Sequence, residues 1–353
     1  MNNDRIQEIL DLMEEARLDY FLISDPQSIA YCTGYYNDPH ERMFVFMISK
    51  HGNHTLFMND LFYLDHDLDV NIVWHKDGQD AIQTIVDEMH FPGRIGIDKN
   101  WASHFLLDLM KKLPDAKYIN ASPCVDLVRM KKDLQEQVLM IESSKINDAV
   151  MEEIIPFIQE GVTEKQLAKK LDELFFNHHS TCYGAIVAFG KNAADPHHEN
   201  DDTLLRKGDC VLIDMGCVYK GYCSDMTRTF FYEGILEEEI KVYEIVKKAN
   251  EAAEAMIKPG VKLSDIDKCA RKVISDEGYG KYFTHRLGHF IGRDVYGDVS
   301  SVNEMEVEEG MIFSIEPGIY LEGNFGVRVE DLVMVTKDGC QVLNSFTKDI
   351  YII

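Results

Sequence analysis

Residues 211–230 read VLIDMGCVYKGYCSDMTRTF. Two apolar runs flank Lys220-Gly221, the pattern of a β-hairpin with a two-residue turn. In that register Gly216 faces Asp225, and Asp214, two positions from Gly216, shares their side of the sheet. The two carboxylates are then diagonal neighbours, roughly 7–8 Å apart by their backbones. A single aspartate in a strand is more often a cap or the partner of a nearby cation, here Arg228. Aspartate is depleted from strands, however, and two on one face repel each other unless a cation lies between them. The pair therefore points to metal, with the small Gly216 expected to leave room for the ions.

Two glutamates stand in equally apolar surroundings, Glu316 in MIFSIEPGIY and Glu330 in GVRVEDLVMV. A buried glutamate needs a partner. Arg328 shares a strand face with Glu330 and would satisfy it in a purely structural account, so the metal reading rests on the set of carboxylates rather than on any one of them. His285 and His289 fall in THRLGHFIG. Their four-residue spacing matches a helical zinc motif, but the glutamate of that motif is missing and Gly288 and Gly292 disfavour a helix. With His197 and His198 in DPHHEN they complete a candidate site. Asp214, Asp225, Glu316 and Glu330 carry four negative charges, which two divalent cations neutralise. An oxygen-rich set with one imidazole suits Mn²⁺ best, with Co²⁺, Fe²⁺ or Zn²⁺ also compatible.

The rest of the chain sets the frame. At 353 residues it exceeds the size of one ordinary core, so two domains are expected. A composition of 45% hydrophobic and 27% charged residues is that of a soluble globular protein. The formal net charge of −25 repels nucleic acid and anionic lipid, so neither is an expected partner. The start MNNDRIQEIL is polar and acidic, unlike a secretory leader, and no apolar run reaches membrane-spanning length. A cytoplasmic location follows as an expectation. The 8 cysteines lack a CxxC pair and read as reduced, mostly structural thiols.

Apolar spacing predicts a helix over 4–18, strands at 20–23, 43–48, 54–58, 70–74, 94–98 and 117–120, and helices at 79–90 and 103–113. This is an α/β domain over residues 1–123. The loop Ala121-Ser122-Pro123 leads to a long helix at about 133–159 and a second domain over 124–353. Thr163 and Gln166 fit a capping box, as do Ser264 and Asp267. Strands at 185–190, 209–216, 225–232, 311–316 and 327–335 lie among the helices, which makes the second domain α+β.

The order D-M-G (214–216), S-D-M-T-R (224–228), T-H-R-L-G-H (284–289), S-I-E-P-G (314–318) and V-R-V-E-D (327–331) resembles the pita-bread metallopeptidases, nearest to proline dipeptidases and aminopeptidase P. YCTGYYNDPHERMFVF (31–46) is similar to the creatinase-type N-terminal domain of the same enzymes. The resemblance implies a pita-bread catalytic domain behind a smaller α/β creatinase-like one. It also implies metal ligands at Asp214, Asp225, His289, Glu316 and Glu330, with Asp225 and Glu330 bridging two ions. A bridging water or hydroxide would attack the peptide bond, and Glu316 would take its proton.

By the same resemblance, His197 and His285 are catalytic and substrate-binding histidines, and Arg328 and Tyr296 complete the substrate-binding set. Tyr296 stands where relatives carry a third histidine, seven residues beyond the ligand one, and cannot titrate near neutrality as imidazole does. A homodimer is implied as well. Expected activity is hydrolysis of Xaa-Pro dipeptides, with action on longer Xaa-Pro peptides and a non-catalytic binding protein as the alternatives.

Overall fold

Tyr20-Phe21-Leu22-Ile23 is apolar at every position, and the chain buries both of its faces. In the computed structural model, which describes residues 1–64, 66–90 and 92–353, these residues form strand β1 of a six-stranded sheet. The others are β2 (Val45–Ser49), β3 (Thr55–Asn59), β4 (Asn71–His75), β5 (Arg94–Ile97) and β6 (Lys117–Asn120), in the order β4-β3-β2-β1-β5-β6. The β2–β3 hairpin turns at His51-Gly52-Asn53, where Gly52 takes a φ of +91° that other residues adopt at a cost. Side chains alternate across the sheet. Phe21 and Ile23 therefore join Ile6, Ile9 and Met13 of the helix Asn3–Glu15 in one core, and Tyr20 and Leu22 join Ile82, Ile85 and Leu109 in another.

The first of these cores also takes Cys124, Val125 and Val128 from a helix spanning Ser122–Met130. That packing carries the first compact unit to Arg129, and the second runs from Met130 to Ile353. Ala121-Ser122-Pro123, expected as a boundary loop, instead opens a helix, because a proline in the first turn lacks only an N–H that would have no partner there. A further helix, Pro26–Thr33, has no counterpart in the periodicity reading. It is short and is set by Asp25, whose carboxylate caps Ser28 N.

The second unit holds β7 (Thr181–Cys182), β8 (Ile186–Phe189), β9 (Cys210–Met215), β10 (Cys217–Tyr219), β11 (Tyr222–Cys223), β12 (Met226–Phe231), β13 (Gly288–Ile291), β14 (Val295–Val299), β15 (Ile312–Ile315), β16 (Gly318–Leu321), β17 (Phe325–Arg328), β18 (Asp331–Val335) and β19 (Cys340–Val342). Its main sheets are ordered β12-β9-β8 and β14-β13-β15-β18-β19. Helices Leu134–Ile154, Glu164–Asn177, Glu237–Met256 and Leu263–Asp276 accompany them. The first two open with capping boxes, Asp133 with Glu136 and Thr163 with Gln166. Among the described residues, no helix is long and apolar enough to cross a membrane.

The hairpin register is as the alternation predicts. Met226 pairs with Met215 and Val218 with Cys223, which sets Gly216 against Asp225. The hairpin is nevertheless broken there, and Asp225 lies between β11 and β12. A Cβ on Gly216 would stand 2.2 Å from Ser224 O and 2.4 Å from the Tyr183 hydroxyl. The glycine therefore makes room for Tyr183, whose hydroxyl donates to Ser224 O at 2.6 Å, and not for ions. The strand expected over 327–335 is likewise two, β17 and β18, with Glu330 in the gap, and Glu316 sits just past β15. Breaks of this kind turn a carboxylate out of the ladder while the flanking strands hold its backbone.

Candidate metal centre

Each acidic side chain reaches one cavity from a different strand end. The cavity, about 540 Å³, is lined by Asp214, Asp225, His289, Glu316 and Glu330 together with His197, His285, Arg286, Arg328 and the apolar Ile186, Pro196 and Val295. Asp214 projects from β9 opposite Thr227. Glu316 is anchored by its N–H to Leu287 O at 2.8 Å, and Glu330 by its N–H to Thr227 O at 3.1 Å. His289 lies in β13, not in a helix. Gly288 permits this, since a Cβ there would meet Ser314 O at 2.0 Å, and Ser314 Oγ accepts from His289 N at 3.0 Å.

The His289 tautomer follows from its partners. Phe290 O can only accept, so Nδ1, 3.2 Å away, carries the hydrogen, and Nε2 presents a lone pair. That lone pair faces Asp225 Oδ2 and Glu316 Oε1, each at 3.6 Å, too far for a hydrogen bond and close enough for electron-rich atoms to repel. Asp225, His289 and Glu330 each bring a ligand atom within 4.8 Å of the others. Among the described residues, Glu330 Oε1 is buried without a hydrogen-bond partner, which native proteins avoid. Burial, then the neighbouring Asp214 and Glu316, push the Asp225 carboxyl well up, and burial followed by Asp225 does the same to Glu330. Burial raises Glu316 to about 7 and lowers His289 to about 4, leaving a neutral imidazole at neutral pH. Hard oxygen donors, one neutral imidazole and an orphaned carboxylate oxygen together fit divalent cations.

The sign of these shifts gives a prediction. A carboxyl raised by folding stabilises the protein fully below its unfolded value, and that stability is lost as pH climbs through the folded value, about 7 for Glu316. Metal-chelated protein should therefore lose stability as pH rises from about 5 to about 7.5, while cations offset the same charges. The difference in melting temperature between metal-loaded and chelated protein is expected to widen over that range. Paired thermal scans check it, and a constant difference would contradict it.

Arg328 does not pair with Glu330. Its Nη2 meets Asp214 Oδ2 at 2.6 Å, and Nε donates to Thr227 Oγ1 at 3.0 Å. Thr227 Oγ1 in turn donates to Glu330 Oε2 at 2.7 Å. Arg228, considered as a partner for the aspartates, pairs with Asp331 at 2.7 Å. Tyr320, absent from the sequence reading, donates to His285 Nε2 at 2.8 Å and accepts from Arg328 Nη1 at 3.0 Å. His285 Nδ1 is spent on Arg286 O at 2.7 Å, and burial followed by the Arg328 charge lowers this imidazole to about 4. His197 is exposed on the cavity wall.

Its neighbour His198 faces the other way, onto Glu164 Oε2 at 2.6 Å. Glu164, His198 and Asp201 form a second group of potential ligands. Both Glu164 oxygens are already occupied, Oε1 by Phe189 N and Asn192 Nδ2 and Oε2 by Asp201 N and His198, so this group is a structural node behind the His197 segment. Tyr296 is set apart. It is 6% exposed, stacks on Phe290, and accepts from Lys132 Nζ at 3.3 Å, while its neighbour Val295 is the residue on the cavity wall. Strand alternation explains why the two adjacent residues diverge.

Residues 138–337 match the family model described as metallopeptidase family M24, and residues 5–131 match the creatinase/prolidase N-terminal domain. An uncharacterised peptidase of Staphylococcus aureus (strain bovine RF122 / ET3-1) is 34% identical over 355 residues, covering 98% of this chain and 99% of the relative. Among solved structures, a prolidase from Thermococcus sibiricus aligns with a TM-score of 0.95 at 31% identity, over 100% of this chain and 99% of that one. A dipeptidase from Pyrococcus horikoshii OT3 aligns with a TM-score of 0.90 at 34% identity, over 99% and 100%. The second unit is thus a pita-bread catalytic domain behind a creatinase-type N-terminal one, and the chain belongs to metallopeptidase family M24.

Proposed function

We propose that the protein is a proline dipeptidase that hydrolyses Xaa-Pro with two divalent cations, Mn²⁺ by preference, held by Asp214, Asp225, His289, Glu316 and Glu330. The observation that carries this reading is their convergence on one cavity with a buried, unpartnered Glu330 oxygen. Bound divalent cations supply Lewis-acid polarisation of a carbonyl and a more acidic water.

The protein's own groups do the rest. Glu316, held by Ser314 Oγ at 3.3 Å, accepts the proton of the attacking water and passes it to the departing nitrogen. A bond before proline is a tertiary amide with no N–H to grip, so the substrate is held by its carbonyl and its termini. His197 binds from the open wall. His285 acts together with Tyr320, whose hydroxyl occupies its free nitrogen. Arg328 keeps Asp214, Thr227 and Tyr320 in register. A cytoplasmic homodimer completes the proposal, and sedimentation checks the assembly.

Turnover of an Xaa-Pro dipeptide, an Xaa-Ala dipeptide and an Xaa-Pro-Yaa tripeptide by Mn²⁺-loaded protein tests the function. The Xaa-Pro dipeptide is expected to have the highest kcat/KM. Preference for the tripeptide would make the protein an aminopeptidase P. Absence of cleavage with stoichiometric metal bound would overturn the enzymatic reading.

A further inference from the structure

Three asparagines reach the metal centre from behind, outside the lining of its cavity. Asn147 lies in the helix Leu134–Ile154 and Asn250 in the helix Glu237–Met256, both fully buried, and Asn344, also buried, follows β19. Each aims its Nδ2 at a carbonyl of, or next to, an acidic residue of the site. Asn147 donates to Met215 O at 3.0 Å, beside Asp214. Asn250 donates to Ile315 O at 2.9 Å and to Val329 O at 3.4 Å, the carbonyls just before Glu316 and Glu330. Asn344 donates to the carbonyl of Asp225 itself at 3.2 Å.

Asparagine is a poor residue for a helix interior, and a buried carboxamide costs free energy unless it is bonded. The strand breaks explain the need. Ile315 ends β15, Val329 falls between β17 and β18, and Asp225 between β11 and β12, so turning each carboxylate out takes a neighbouring carbonyl to the end of its ladder. Satisfying those carbonyls needs only one donor each, and these amides do more. The single Asn250 nitrogen serves both Ile315 O and Val329 O, which fixes the spacing of the backbones that carry Glu316 and Glu330. Its Oδ1 accepts from Lys348 Nζ at 2.8 Å, so the amide is held at both ends. Asn344 spans two sheets in the same way, with Oδ1 on Leu332 N of β18 at 2.7 Å and Nδ2 on Asp225 O. Cation binding tolerates an error of only about 0.2 Å in donor distance.

We propose that Asn250 and Asn344 are positioning residues of the metal centre, setting the separation of Asp225, Glu316 and Glu330 at which two divalent cations bind together. This rests on the two-cation reading above. The test titrates Mn²⁺ by calorimetry into chelated parent and into leucine and serine variants at each position, with thermal scans of the same preparations. Asn250→Leu and Asn344→Leu remove the hydrogen bonds at similar volume. Asn250→Ser and Asn344→Ser leave room for water on the freed carbonyls, so they keep the backbone satisfied without holding its spacing. Leu171→Ala, a fully buried truncation on the helix Glu164–Asn177, which carries none of the five ligand residues, is the control for lost stability alone.

The parent is expected to bind two Mn²⁺ per chain, and all four asparagine variants to bind them about 10- to 100-fold more weakly, the range for outer partners of metal ligands. At saturating Mn²⁺ the loss in Xaa-Pro turnover should fall on kcat and spare KM, since neither carboxamide lines the cavity. Parental Mn²⁺ affinity in the variants, or a loss no greater than that of Leu171→Ala, overturns the positioning role and leaves the two-cation reading intact. A parent that binds no Mn²⁺ overturns both. Cleavage does not enter this readout, so a parent that binds two Mn²⁺ without hydrolysing Xaa-Pro still decides the role of the asparagines.

Discussion

Asp225→Asn protein is expected to lose at least about 10³-fold in kcat/KM on Xaa-Pro, a cost of roughly 4 kcal/mol in transition-state stabilisation. Asp225 sits in the gap between β11 and β12, with Oδ2 3.6 Å from the His289 lone pair and within reach of Glu330. The amide preserves volume and polarity but removes the charge that holds a cation, so metal content should fall together with activity. Stability should move the other way. Burial and the neighbouring carboxylates already push Asp225 towards its protonated form, so the chelated variant loses a repulsion and is expected to melt no lower than the chelated parent at about pH 7.5. Metal analysis, turnover and thermal scans on one preparation check all three. Full metal content with full activity would remove Asp225 from the centre.

Arg328→Met is expected to be the most damaging single change to stability. Arg328 is 2% exposed, and its donors hold Asp214 Oδ2, Thr227 Oγ1 and the Tyr320 hydroxyl. Removing it strands a largely buried carboxylate among other carboxylates, and breaking such a pair costs about 3–5 kcal/mol. Arg328→Lys keeps the charge without the fork, so it should recover part of the stability and little of the activity, because one ammonium cannot reach three partners. Urea unfolding of the chelated proteins measures the first effect. Turnover of the metal-loaded ones, expected to fall on the order of 100-fold, measures the second. Parental stability in Arg328→Met would refute this account.

How far the amino-acid order alone reaches is clearest at these two residues. Asp225 announces itself, since strand alternation gives its register against Gly216, and a second aspartate on the same face demands explanation. Glu316, Glu330 and His289 stand out similarly as polar groups in apolar runs. The partner of Arg328 was not readable. Local spacing favours Glu330, two residues away, but the bond goes to Asp214, 114 residues earlier, because the gap after β17 turns Glu330 out of the strand alternation. The same holds for Tyr183 filling the space over Gly216, Tyr320 occupying the free nitrogen of His285, and Tyr296 stacking inward while Val295 meets the cavity.

Periodicity and composition, being local, therefore determined the two-domain organisation, the strand register and which side chains are chemically out of place. Hydrogen-bond partners and cavity walls depend on strand breaks and on contacts a hundred residues apart, and only the tertiary structure decided those.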